Sequence, residues 1–208
     1  MRFACLADLH GYLPVVPSCD VLLVAGDICP TGDERPETQR RWLRSTFAEW
    51  LSDVPAEAVV GVAGNHDFVG EKDPSVLRDL DWHYLQDESI EIGGVSIYGS
   101  PWTSRFQDWA FMLSEEELAE RWSLIPSAID VLCVHSPPRG YGDWISGQSI
   151  GSPSLLAAID EREPKLCAFG HVHDGYGRWQ RGATTLVNAA YCGADYRPAH
   201  SPVVLELD

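Results

Sequence analysis

Short apolar runs alternate with polar, glycine-bearing turns along this chain. RFACLA (2–7), VLLVA (21–25), AVVGVA (58–63), VLCV (131–134) and LCAF (166–169) hold, after Arg2, consecutive apolar residues with no polar alternate. Such runs predict strands buried on both faces. SIEI (89–92) and VSIYG (95–99) flank Gly93-Gly94, which predicts a two-residue hairpin turn. TTLVNA (184–189) and VVLEL (203–207) predict two late strands. From Pro36 to Val54, apolar residues recur at spacings of three and four through Trp42, Leu43, Phe47, Trp50 and Leu51, with Arg40, Arg41, Arg44 and Glu49 mostly off that stripe. That spacing predicts an amphipathic helix. Ser114 with Glu117 predicts a capping box opening a helix to about Trp122, and Ser152-Pro153 an N-cap and first turn for one to about Arg162. Strands and helices mixed in this way predict an α/β layered domain.

The strand ends carry the chemistry. RFACLA runs into Asp8-Leu9-His10, VLLVA into Gly26-Asp27, and AVVGVA into Gly64-Asn65-His66-Asp67. VLCV runs into His135, and LCAF into Gly170-His171-Val172-His173. Five of the seven histidines fall in these places. Ligands collect at the carboxyl ends of strands in open α/β sheets. Oxygen donors mixed with imidazole, and no thiolate, suit divalent Mn, Fe or Zn rather than calcium. One carboxylate can bridge two metals roughly 3.5–4 Å apart, as in two-metal hydrolases. Gly26, Gly64 and Gly170, each directly before a polar group, let the backbone turn sharply and approach closely.

Composition narrows the partners. A length of 208 residues without repeats or low-complexity segments predicts a single domain over 1–208. The net charge of −16 disfavours long nucleic acids, which are held by basic surfaces, but not a small phosphate ester in a metal-lined pocket. No stretch is long enough to span a membrane, and residues 2–7 read as a strand, so no charged-then-apolar secretory leader is expected. The six cysteines form no CxxC pair, and Cys5, Cys133 and Cys167 lie inside apolar runs. This pattern predicts core thiols in a reducing, cytoplasmic setting.

The ordered set D-x-H, G-D, G-N-H-D, H and G-H-x-H over positions 8–173 resembles the calcineurin-like metallophosphoesterase superfamily. YGSPWTSRFQDWAF (98–111), HSPPRGYGD (135–143) and GHVHDGYG (170–177) resemble more closely its metallophosphoesterase-domain (MPPED-like) subgroup, which is similar to class III cyclic-nucleotide phosphodiesterases. The resemblance implies a four-layer αββα fold, with two mixed β-sheets in a sandwich flanked by helices. It implies two divalent ions, Mn2+ foremost and Fe or Zn as alternatives. Asp8, His10, Asp27 and His173 would hold the first, and Asp27, Asn65, His135 and His171 the second. It implies hydrolysis of a small phosphodiester, such as a cyclic nucleotide, by a hydroxide bridging the metals. His66 would protonate the leaving oxygen, with Asp67 orienting its ring. Asn65, His66, Trp102, Arg139 and Tyr141 are the candidate substrate contacts, with Trp109 and Trp144 as further aromatic candidates to flank a base. Tyr12 and Phe68 are candidates for the pocket wall, while His83 and His200 match no block and are expected to be ordinary surface or packing residues. The sequence alone leaves Asn188 undecided. A phosphomonoesterase and a non-catalytic scaffold on the same fold remain open as alternatives.

Overall fold

The computed structural model describes residues 1–207. Two large mixed sheets lie face to face. In the first the order is Val203–Glu206, Arg2–Leu6, Cys19–Ala25, Ala56–Val62, His83–Tyr84. All its pairings are parallel except that of the edge strand Val203–Glu206. In the second the order is Gly177–Arg181, Thr184–Asn188, Leu166–Phe169, Val131–Val134, Val95–Ser100, Glu88–Ile92, with antiparallel edges around four parallel strands.

The continuous apolar runs are explained by three separate layers of packing. Phe3, Cys5, Val21, Leu23, Val60 and Val62 face Ile97, Val131, Cys133 and Ala168 between the sheets. Their neighbours Ala4, Leu6, Leu22 and Val24 point outward onto Leu43, Phe47 and Leu51 of the helical segment that starts at Pro36. Outward residues of the second sheet, including Leu132, Val134, Cys167 and Phe169, pack on Leu118, Trp122, Leu155 and Ile159 from helices Glu115–Trp122 and Pro153–Arg162. Side chains alternate across a strand, so one run feeds two apolar layers and can spare no polar alternate.

The expected local signals are in place. Ser114 and Glu117 form a reciprocal capping box, and Ser152 caps a helix with Pro153 in its first turn. Gly93 and Gly94 take φ of 57° and 84°, closing the hairpin in which Ile92 pairs with Val95. The long helix differs from expectation. Pro36–Trp42 and Ala48–Asp53 are α-helical, joined by a π-helical turn over Leu43–Phe47. Its buried residues, Gln39, Leu43, Phe47 and Leu51, step by four. A regular α-helix would rotate that series by about 40° per step, and the wider turn keeps it in line with the sheet. A strand at Gly177–Arg181, not legible in the alternation, completes the second sheet by pairing with Thr184–Asn188. All six cysteines are buried and free. No helix among the described residues is long and apolar enough to cross a membrane.

Candidate metal centre and cleft

The carboxyl ends of the parallel strands meet at one edge of the sandwich, and sharp turns follow them. Asp8, His10, Asp27 and His171 adopt φ of 53°, 46°, 53° and 71°. This left-handed conformation is uncommon outside glycine and concentrates at functional sites. Two glycines permit the crowding. A Cβ on Gly64 would strike the Asp27 carboxylate, and one on Gly170 would strike that of Asp8 and lie 2.5 Å from Ala7 Cβ. Gly170→Ala is therefore expected to destabilise the protein by about 1–3 kcal/mol. It should also lower metal content, as measured by urea denaturation and elemental analysis.

The structure brings the seven proposed ligands together. Asp8, His10 and His173 form one set of converging donors, and Asp8, Asp27 and His135 another. His10 Nε2 lies 3.0 Å from His173 Nε2 and 3.8 Å from Asp27 Oδ2. On the other side, Asn65 Oδ1 lies 2.8 Å from His135 Nε2 and 2.7 Å from His171 Nδ1, while Asp27 Oδ2 is 3.5 Å from His135 Nε2. Neighbouring ligands of one ion with bonds near 2.1 Å stand about 3 Å apart.

Proton accounting tests the fit. His135 Nδ1 sits 2.8 Å from the Ala25 carbonyl, which only accepts, so this nitrogen donates. Burial lowers the His135 pKa to about 4 and that of His171 to about 3, which leaves both imidazoles neutral. The His135 Nε2 lone pair thus faces Asn65 Oδ1 and Asp27 Oδ2, acceptor against acceptor, an arrangement that a cation satisfies. His173 repeats the device: its Nδ1 donates to Gly193 O at 2.9 Å and its Nε2 is left for the cluster. His10 and His173 are also shifted down, in each case mainly by burial. Burial and the neighbouring Asp27 push the Asp8 carboxyl up, although the His171 amide donates to it at 3.0 Å. A crowd of neutral imidazoles around repelling carboxylates suits divalent cations.

Around this cluster the loops are held by buried polar contacts. Asn188 donates to Gly142 O and Val172 O and accepts from Ala190 N, which fixes the loop carrying His171 and His173. Its supporting role, undecided in the sequence, is visible here. Gln39 is a buried amide that sequence reasoning missed. Its Nε2 donates to His66 O at 2.6 Å and its Oε1 accepts from Val69 N at 2.9 Å. A lone amide on the apolar stripe of the long helix was the available signal.

Asp67 requires a correction. It does not orient the His66 ring. Its carboxylate accepts from the amides of Ile28, Cys29 and Gly64 at 2.8–3.2 Å, stapling two ligand loops together. The carboxylate beside His66 is that of Glu34, whose Oε1 lies 3.4 Å from His66 Nδ1. His66 itself is no member of the donor sets. Its amide donates to Asp27 Oδ1 at 2.7 Å, and its ring stands 5.1 Å from that of His10 and 4.7 Å from that of Trp109.

A cleft of about 470 Å³ opens over the cluster, floored by Asp27, Asn65, His66, His171 and His173. Arg105, Phe106 and Trp109 form one wall, and Ile145, Gln148, Ile150 and Tyr196 much of the remainder. Of the candidate substrate contacts, Asn65 and His66 line this cleft. Trp102, Arg139 and Tyr141 do not. Trp102 donates to Asp87 under the Arg121 guanidinium and packs on Phe111. Arg139 is exposed, and Tyr141 packs beside Trp179 with Arg181 donating to its hydroxyl. Tyr12 is largely exposed, and Phe68 packs on the core rather than on the cleft. Of the further aromatic candidates, Trp109 lines this cleft, and Trp144 lines an adjoining depression with His171 and His173. His83 is exposed and His200 stacks on Tyr176, as expected of residues outside the site.

The fold and the donor set together define a metallophosphoesterase. The chain belongs to the calcineurin-like phosphoesterase family, which matches residues 1–175. Human metallophosphoesterase domain-containing protein 1 is 35% identical to it over 237 residues, spanning 99% of this chain and 71% of that protein. A solved crystal structure superposes with a TM-score of 0.67 at 14% identity, covering 90% of this chain and 89% of its own. A Plasmodium protein described as GAP50, the anchor in the inner membrane complex, gives 0.51 at 14% identity over 92% and 71%. These two structures are alike in fold alone. Family membership supports hydrolysis of phosphate esters with bound metal as the class of activity.

Proposed function

We propose that the protein is a small-molecule phosphodiesterase that works with two divalent ions, Mn2+ foremost and Fe or Zn as alternatives. The observation that carries this reading is the position of Asp27. Its Oδ2 lies 3.8 Å from His10 Nε2 and 3.5 Å from His135 Nε2, so one oxygen is near an imidazole of each donor set. Bound ions would attract an anionic phosphate and lower the pKa of water toward neutrality. Asp8 and Asp27 bring two negative charges against the four of such a pair. His66 stands at the cleft floor as proton donor to a departing ester oxygen, the step a poor leaving group needs. Phe106 and Trp109 offer an apolar wall to a planar group. Together with the sequence resemblance, that wall favours 2′,3′- or 3′,5′-cyclic nucleotides. Six free buried cysteines favour a reducing, cytoplasmic setting. Protein reconstituted with Mn2+ should hydrolyse bis(p-nitrophenyl) phosphate faster than p-nitrophenyl phosphate, and metal-free protein neither. A preference for the monoester overturns the diesterase reading.

A further inference from the structure

Tyr196 lies beyond every motif block, yet the fold brings its ring over the centre of the site. The ring centroid is 4.8 Å from that of His10, 4.9 Å from His173 and 5.8 Å from His66. It lines both the main cleft and the adjoining depression beside Trp144.

The backbone that places it is constrained. Tyr196 has a φ of 58°, which is unfavourable for a bulky aromatic residue. Its amide donates to Gly193 O at 2.9 Å, and Gly193 N donates to Arg197 O at 2.9 Å. The same Gly193 carbonyl accepts from His173 Nδ1. One turn therefore sets both a metal-ligand tautomer and the tyrosine.

The hydroxyl is the unspent part. Tyr84, Tyr141 and Tyr176 pair their hydroxyls, with Gln86, Arg181 and Ser201 respectively, while that of Tyr98 is buried in the core without a partner. That of Tyr196, at the cleft, makes no hydrogen bond among the described residues and is free to meet a bound group. The ring is tilted against that of His10 and edge-on to that of His173, which places it on the cluster side.

We propose that Tyr196 is a substrate-contacting residue whose phenol donates a hydrogen bond to a non-bridging phosphoryl oxygen of the ester bound over Asp27. The assignment rests on the reading of this cleft as a phosphate-ester site. The ring lines both the main cleft and the adjoining depression, and in the proposed pose the phosphoryl group sits beneath it while the organic part extends along Trp109. No charge changes at the tyrosine during turnover. It holds a donor against oxygens that gain negative charge, which requires no reorganisation at the moment of reaction.

The test is Tyr196→Phe in the Mn-loaded protein, with inorganic phosphate as the probe. Calorimetry should show phosphate affinity falling about tenfold, the usual effect of losing a hydrogen bond to a charged group. Metal content and melting temperature should stay at the wild-type values. With bis(p-nitrophenyl) phosphate, kcat/KM should fall at least as far. Unchanged phosphate affinity in Tyr196→Phe overturns the proposal, as does loss of metal, which would make the residue part of the metal support. Tyr196→Ala separates ring from hydroxyl: a defect in that variant alone assigns the role to packing and likewise overturns the proposal. A wild-type protein that binds phosphate through Tyr196 yet hydrolyses no ester would sink the phosphodiesterase reading and leave this one standing.

Discussion

Asp27→Ala will strip the protein of both ions. Elemental analysis of the reconstituted wild-type protein should give two divalent ions per chain, and of the variant close to none. One oxygen, Asp27 Oδ2, lies 3.8 Å from His10 Nε2 and 3.5 Å from His135 Nε2, within reach of an imidazole from each donor set. Removing it takes away the shared ligand and half of the negative charge that Asp8 and Asp27 offer. Hydrolysis should fall to background. Wild-type protein should also melt higher on addition of Mn2+, by mass action on the folded state, and the variant should not. The fold itself should survive, because burial and then the Asp27 charge push up the carboxyls of Asp8 and Asp67, and the variant lacks that repulsion. A variant that retains one tightly held ion would show that Asp27 serves a single site.

His66→Asn should separate chemistry from metal binding. The ring lies outside both donor sets and faces the cleft beside Trp109 and Tyr196. The ion content should therefore stay at two. Turnover of alkyl esters should drop by about 10²–10⁴, the usual effect of removing a positioned proton donor. Nitrophenyl esters should suffer much less, because their leaving group departs as a stable anion. Equal losses on both substrates would mean that His66 positions the ester and does not protonate it. Glu34 belongs to the same experiment: it is the carboxylate near His66 Nδ1, so Glu34→Gln should show a smaller version of the same leaving-group dependence.

Legibility in the sequence followed physical range. Strands such as Cys19–Ala25 and Val131–Val134 were readable because burial on both faces demands an unbroken apolar run. The ligand residues were readable because each sits within a few positions of a strand end, where backbone direction is already set. The capping box at Ser114 and the paired glycines at 93–94 are local signals of the same kind. Asp67 was misread for the opposite reason. Its place next to His66 suggested a partnership, but three backbone amides from two loops draw its carboxylate away. Trp102 and Tyr141 look like base-stacking residues in isolation, yet both end in packed contacts with Phe111 and Trp179.

The amino-acid order by itself determined which layers could be buried and which side chains could hold metal, because periodicity and residue chemistry act over a handful of positions. Only the tertiary structure decided what meets whom across the edge of the sandwich. Glu34 beside His66, Gln39 beneath it, and Tyr196 above the cluster come from segments far apart in the chain. Their placement depends on how two sheets stack and where long loops return, and no local pattern in the chain encodes a distance of that kind.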